Sequence, residues 1–283
     1  MVPALWAVGL AACGGDSPSI LDPASNDGDD VARLWWVLFA ISAVVVVIVT
    51  VLLVIAALRH RRAGSEGDVD QRPVPWGDPF VIIAGIAVPG GILAGTFVFS
   101  LGVLDDLAGS SPDPDLTVEV VGHQWWWEVR YPNGAVTANE IHIPVGQRVE
   151  LSLPTADVIH SFWVPELQVK KDQIPGMDNR LSLEADRPGR FHGQCAEFCG
   201  IQHANMKFQI VAQPADEFED WLAHEAEPAN DPETAEARQG EEVLLGASCA
   251  GCHTVRGGPP PGTSGRISPT WPAGRPSAPG CCP

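Results

Sequence analysis

Between Leu34 and Leu58 the chain carries no charged residue, and between Pro79 and Leu104 it again carries none. Coiled as an α-helix, the first stretch would run about 37 Å, enough to cross a hydrocarbon core of roughly 30 Å with some tilt. Its Val44–Val47 run would suit a strand in water, but in lipid every backbone group must be satisfied within the segment, so length decides for helix. A buried helical hairpin in a soluble domain is the competing reading, and two uncharged spans of this length are rare there. The second span is interrupted by Pro89-Gly90-Gly91, which predicts a break, and Asp105-Asp106 closes it. Arg59-His60-Arg61-Arg62 lies between the spans. That cluster predicts a cytoplasmic loop over 59–78, spans at 34–58 and 79–104, and both termini on the opposite side.

From Leu116 the apolar period changes to two. Leu116–Val121, Ile141–Ile143, Val149–Leu153, Arg180–Leu183 and Phe208–Val211 alternate, separated by Pro132-Asn133-Gly134, Pro144-Val145-Gly146 and Pro188-Gly189. Short strands with regular turns predict an all-β sandwich over 105–214. Glu217-Phe218 and Trp221-Leu222 then give one apolar helical face, and a Pro-rich acidic linker follows, so 215–235 reads as helix plus linker. The net charge is −18, with 35 acidic against 17 basic residues. Such a balance excludes nucleic-acid binding and suits either plain solubility or attraction of a basic partner.

The chemistry concentrates in Cys195-Ala196-Glu197-Phe198-Cys199-Gly200-Ile201-Gln202-His203-Ala204-Asn205-Met206. Two thiols, an imidazole and a thioether form a soft ligand set of the kind that holds copper between two oxidation states. His160 lies upstream in Asp157-Val158-Ile159-His160-Ser161-Phe162-Trp163. A mononuclear blue-copper site uses one Cys with two His and a weak Met, whereas two thiolates with three residues between them can bridge a pair of copper ions. A Cys195–Cys199 disulfide or a structural zinc are the plainer readings; neither needs Met206 and both leave His160 unexplained.

On these residues the chain resembles subunit II of the haem–copper cytochrome c oxidases. Gly122-His123-Gln124-Trp125-Trp126-Trp127 and the stretch from His160 through Asp172 to Pro175-Gly176 carry the same likeness, which covers roughly residues 30–255. The resemblance implies a two-helix transmembrane hairpin, then a cupredoxin sandwich with a binuclear CuA centre. Its two coppers would be held by His160, Cys195, the backbone carbonyl of Glu197, Cys199, His203 and Met206. It implies that the Glu197 carboxylate also helps to hold magnesium at the junction with subunit I, near the segment of Asp172. It makes Trp125 the residue through which electrons arrive from cytochrome c, with packing left to Trp126 and Trp127. Partners would be subunit I, further oxidase subunits, cytochrome c and the bacterial plasma membrane. Three alternatives stand beside it: a quinol oxidase subunit II, a family without the copper ligands; nitrous oxide reductase, whose large catalytic domain this length does not accommodate; and a membrane-anchored copper-storage or copper-delivery protein with no redox role.

The two ends add further expectations. Leu10-Ala11-Ala12 before Cys13 resembles a bacterial lipoprotein processing site, which would make Cys13 a lipidation site, although no Lys or Arg precedes the apolar run. Residues 1–33 therefore read as a leader followed by an acidic, Gly/Ser-rich tether on the outer side. Near the other end Cys249-Ala250-Gly251-Cys252-His253 has the spacing of covalent haem c attachment, with zinc or a redox dithiol as alternatives. With four of the seven cysteines in two cofactor motifs, a disulfide framework is disfavoured. Residues 236–283 then read as the start of an α-helical cytochrome c domain. No Met or His follows His253, and the Pro/Gly-rich stretch 258–283, ending Cys281-Cys282-Pro283, has no helical period. Ser268-Pro269-Thr270 stands about where the fused family has a turn. These features predict a truncated or frame-shifted cytochrome domain that covers haem poorly.

Overall fold

The computed structural model describes residues 18–62, 77–108, 114–247, 253–256 and 266–267. The chain divides into a helical unit, Asp29–Gly109, and a second unit made of the remainder.

Helix α1 spans Asn26–Arg62. It begins earlier than the uncharged stretch predicts, because Ser25 caps it: the Ser25 hydroxyl accepts the Gly28 N–H at 2.9 Å, and Asp27, Asp29 and Asp30 place negative charge on the first turns. From Leu34 onward apolar side chains are exposed all round the helix, Val46 and Leu53 among them; a helix apolar on every face needs lipid or other apolar partners around it. The second apolar segment is a short helix α2 (Gly77–Ile82), one wide turn at Ile83–Ala87, and α3 (Val88–Ala108). The predicted break at Pro89-Gly90-Gly91 does not occur. Proline removes a donor and crowds the carbonyl four residues back. The preceding turn is widened instead, so that the Val88 N–H bonds to the Ile83 carbonyl five residues back, and the helix runs on. Thr96 and Ser100 turn their hydroxyls back onto the helix carbonyls of Ile92 and Thr96, which satisfies these two donors within the helix. Both segments are long and apolar enough to cross a membrane.

Among the described residues, ten strands build the sandwich of the second unit: β1 (Leu116–His123), β2 (Trp126–Arg130), β3 (Val136–Ala138), β4 (Glu140–Pro144), β5 (Val149–Leu153), β6 (His160–Trp163), β7 (Lys171–Gln173), β8 (Asn179–Leu183), β9 (Gly189–Cys195) and β10 (Lys207–Gln213). They form two five-stranded sheets, in the orders β3-β2-β1-β5-β8 and β4-β10-β9-β6-β7. Pairing is antiparallel except β1 with β5 and β4 with β10. The all-β sandwich expected from the alternating segments is therefore present. Inward positions of both sheets (Val118, Val120, Val129, Leu151, Leu183, Ile141, Phe191, Ile210) make one core. Trp127 is fully buried and lies edge-on to Phe162 and Phe208, at 5.6 and 5.2 Å. Truncating a ring so enclosed costs about 3–5 kcal/mol.

Helix α4 (Ala215–Glu225) follows the sandwich and α5 (Ala235–Gly246) follows the acidic linker. Phe218 of α4 is buried, and Trp221 stacks flat on His142 of β4 at 3.8 Å. The tether expected before the first span is corrected where it is described. Ala24 joins the sandwich core, its N–H donates to Glu166 O at 2.8 Å and its carbonyl accepts from Asp186 N at 2.9 Å. Near the C-terminus, His253 lies in a two-residue strand β11 (His253–Thr254), paired with β12 (Arg266–Ile267). Cys13, Cys249, Cys252, Ser268-Pro269-Thr270 and Cys281-Cys282 lie outside the described residues.

Candidate metal centre

The candidate ligands come from two neighbouring strand ends and one loop. His160 opens β6, Cys195 closes β9, and the chain from Ala196 to Met206 loops back to start β10. Two backbone bonds pin this loop: Cys195 N–H to Met206 O at 3.0 Å across its neck, and Ala196 N–H to Ser161 O at 2.9 Å onto β6. A short 3-10 turn, His203–Asn205, tightens its return.

The loop brings His160, Cys195, Cys199, His203 and Met206 together. The two sulfurs are 3.8 Å apart and unbridged, far beyond the roughly 2.05 Å of a disulfide. Nδ1 of His160 lies 3.9 Å from the Cys195 sulfur, and the Glu197 carbonyl lies 3.2 Å from it. Around Cys199, Nδ1 of His203 stands at 3.6 Å and the Met206 sulfur at 3.7 Å. Each thiol therefore has one imidazole and one weaker donor beside it. His160, Cys195, Cys199 and Met206 are buried, whereas Phe198 and Ile201 of the same loop are exposed. Among the described residues, His160, Cys195 and Cys199 are the group of His, Cys or acidic side chains close enough to share a metal ion. The carboxylates of Glu197 and Asp172 do not join it; Asp172 accepts from the Ser161 hydroxyl at 2.7 Å.

The electrostatics of the two thiols differ. Burial pushes the Cys195 thiol up, but hydrogen bonds from His160 and from the backbone around Ser161 and Glu197 outweigh it and bring it down to about 6. Burial and the neighbouring Cys195 thiolate push Cys199 up to about 12. Two thiols this close cannot both ionise in a protein interior without cations between them. Burial alone would lower His160; the Cys195 sulfur and the Asp157 carboxylate override that and raise it. The donor set fits a soft metal: sulfur and imidazole in excess, with a thioether and a carbonyl as weak ligands. A closed tetrahedral zinc site would have no use for Met206.

Sequence reasoning did not single out Asp157. Its carboxylate accepts from His160 Nε2 at 2.7 Å and from the Gln124 and Val158 N–H groups, each at 2.6 Å. It thereby turns Nδ1 of the ring toward sulfur. Its position three residues before His160 in a turn was the available signal.

Trp125 sits in the turn between β1 and β2 rather than on a strand, half-buried. Its indole N–H donates to the Cys199 carbonyl at 3.0 Å, and the Gln124 amide donates to the same oxygen at 2.8 Å. Gly200, with φ at +118°, lies under the indole, where a Cβ would come within 3.1 Å of the ring. Glycine is thus required there twice over, by conformation and by space. Trp126 stacks on His123 at 4.6 Å, and Trp127 lies 6.0 Å from the His160 ring.

Comparison with known proteins bears on this arrangement. Residues 135–213 match the family "Cytochrome C oxidase subunit II, periplasmic domain". A cytochrome c oxidase subunit 2 of Alkalihalophilus pseudofirmus is 40% identical over 185 residues, 63% of this chain and 51% of the relative. One from Bacillus sp. PS3 is 32% identical over 276 residues, 89% of this chain and 74% of the relative. The periplasmic domain of subunit II of the Bradyrhizobium japonicum oxidase, a solved structure, is 33% identical, covering 41% of this chain and 96% of that one, with a TM-score of 0.39. The chain spans about half or less of the length of several of its curated relatives, 51%, 36%, 40% and 44% in four of them. The alignment to the Bacillus protein, however, takes in most of both sequences, and on that extent the chain belongs to the cytochrome c oxidase subunit II family.

Proposed function

We propose that this chain is the electron-accepting subunit of a respiratory haem–copper oxidase. His160, Cys195, the Glu197 carbonyl, Cys199, His203 and Met206 would hold two copper ions. The observation that carries the reading is the pair of buried thiols 3.8 Å apart, each with its own imidazole. When bound, such a copper pair supplies a one-electron redox couple that changes geometry little between its two states.

The protein's part is to fix and connect. Ionised, the two thiols would supply the negative charge that balances the bound cations, and the cations in turn would let both thiols ionise in the interior. Asp157 holds the His160 ring from behind, and the β6, β9 and β10 strand ends hold the remaining donors. Trp125 offers a surface-reaching π system hydrogen-bonded to the Cys199 carbonyl, a short bonded path from a docked donor to the thiolates. The acidic balance of the chain favours a basic donor such as cytochrome c. Oxygen reduction and proton translocation would belong to subunit I, to which this chain passes its electrons.

Several finer assignments go with this reading. The helices would span the bacterial plasma membrane with both chain termini on the outer side. Cys13 would be lipidated. Cys249 and Cys252 would carry haem c, with His253 as its ligand. Glu197 would contribute to a magnesium site at the junction with subunit I, near Asp172. A quinol oxidase subunit II would have no use for this donor set, and a copper-delivery role would leave the Trp125–Cys199 contact without purpose.

Stopped-flow reduction of the purified oxidase by reduced cytochrome c tests the role of Trp125. Trp125→Phe keeps an aromatic ring, though a smaller one, and loses the indole N–H. It should retain the copper content and slow reduction by about tenfold or more, roughly 1.4 kcal/mol in the barrier. An unchanged rate at low salt contradicts the role.

A further inference from the structure

The sandwich holds the chain segment that follows the Cys-x-x-Cys-His motif at one defined place. Strand β3 is the outermost strand of its sheet, and an edge strand presents backbone groups that no neighbouring strand pairs. The Arg256 guanidinium donates from Nη2 to the Val136 carbonyl of β3 at 3.0 Å. The same Nη2 lies 3.7 Å from the Glu225 carboxylate, with the two side chains 17% and 8% exposed. In return, the Arg256 carbonyl accepts the Ala229 N–H at 3.1 Å. Glu225 is the last residue of α4, and α4 is seated on the sandwich independently. Trp221 stacks on His142, and the Asn133 amide donates to the Leu222 carbonyl at 2.7 Å. An arginine and a carboxylate withdrawn from water together are unlike the exposed ion pairs elsewhere on the surface, which contribute little.

We propose that Arg256 and Glu225 form a latch that seats the segment His253–Arg256, just after the two motif cysteines, on the β3 edge of the sandwich. The docking surface is built from the β3 backbone and the end of α4, and its occupant is this chain's own C-terminal segment. His253 precedes Arg256 by three residues, a reach of at most about 11 Å. The latch itself needs neither haem nor copper.

Hydrogen–deuterium exchange on the full chain in detergent tests it. Arg256→Ala should speed exchange across residues 226–256 by about tenfold or more, while β9 and β10 exchange as in the parent. Glu225→Gln should speed the same segment, and the double variant should exchange no faster than Arg256→Ala alone, as expected for two groups acting as one unit. Unchanged exchange over 226–256 in Arg256→Ala, or fully additive effects of the two substitutions, overturns the latch. Should Arg256→Ala also loosen β9 and β10, Arg256→Lys decides. It keeps the charge and loses the fork, so a latch loosens 226–256 alone, whereas exchange equal to the parent's over that segment refutes it.

Discussion

Replacing Gly122 by alanine is the sharpest single perturbation of the scaffold beneath the centre. Gly122 lies in β1 opposite Trp127 of β2. Its N–H donates to Pro154 O and its carbonyl accepts from Ala156 N, both at 3.0 Å, so the backbone cannot retreat without breaking bonds on that side. A Cβ would stand 2.3 Å from Gln173 Oε1 and 2.9 Å from the His160 ring. Neither neighbour yields easily. Gln173 is fully buried and its amide donates to Val120 O at 2.7 Å; His160 is fully buried and held by Asp157. Overpacking of this kind costs about 1–3 kcal/mol. Displacing the glutamine from its partner adds about 1–3 kcal/mol, and the stiffer unfolded chain returns about 0.4–1 kcal/mol. The net is a loss of about 1–5.5 kcal/mol, which is about fivefold to ten-thousandfold in an opening equilibrium. The slowest amides of β9 and β10, followed by hydrogen exchange in the full chain, read that equilibrium directly. A change of less than about threefold would refute the claim that His160 and Gln173 are immovably packed against Gly122.

Two further predictions follow from side chains around the sandwich. Hydrogen bonding from His123, then the Arg130 guanidinium, hold Glu128 below its ordinary range against the opposing effect of burial, and His142 does the same for Glu140. A carboxylate depressed in the folded state stabilises above its unfolded value and loses that contribution as pH falls through the folded value. Acid titration of sandwich stability should therefore show a decline below about pH 4.5, and Glu128→Gln with Glu140→Gln should flatten it; an unchanged acid limb counts against these bonds. Asp157→Ala removes the acceptor behind His160 and should weaken metal binding about ten- to hundredfold, measured by competition with a chelator. Parent-like affinity would show that Asp157 does not orient the ring.

The strands that alternation revealed are β1, β4, β5, β8 and β10; β8 and β10 have a buried and a more exposed face, whereas in β4 and β5 the polar His142 and Glu150 are buried as well. Of those it did not reveal, β9 alternates in burial but sets a glycine, Gly193, at an inward position, and the others lack the alternation for physical reasons. Four consecutive residues of β2, Trp126 to Val129, are buried, Glu128 among them, and two adjacent tryptophans at its start leave too little alternation to read. β6 begins with three buried residues, and β3 and β7 are three residues long. The two apolar helices were legible from the lack of charge alone, but not the wide turn before Pro89, whose cause is a clash with a backbone carbonyl that composition does not encode. The segment before α1 reads as an acidic tether because Ala24 and Ser25 gain their burial from distant loops. At the centre, the residues of the Cys195–Met206 loop stood out because soft donors crowd a short stretch. Asp157 had only its spacing from His160 as a signal, and Gln124 acts through a geometry that appears once the chain has folded.

The central claim is a pair of copper ions sharing the two thiolates, and the electron-spin spectrum of the oxidised subunit, taken with its copper content, tests it most directly. The account predicts two coppers per chain and one unpaired electron split by two equivalent copper nuclei, a pattern that Cys199→Ser abolishes. One copper per chain, with the splitting of a single nucleus, would contradict it.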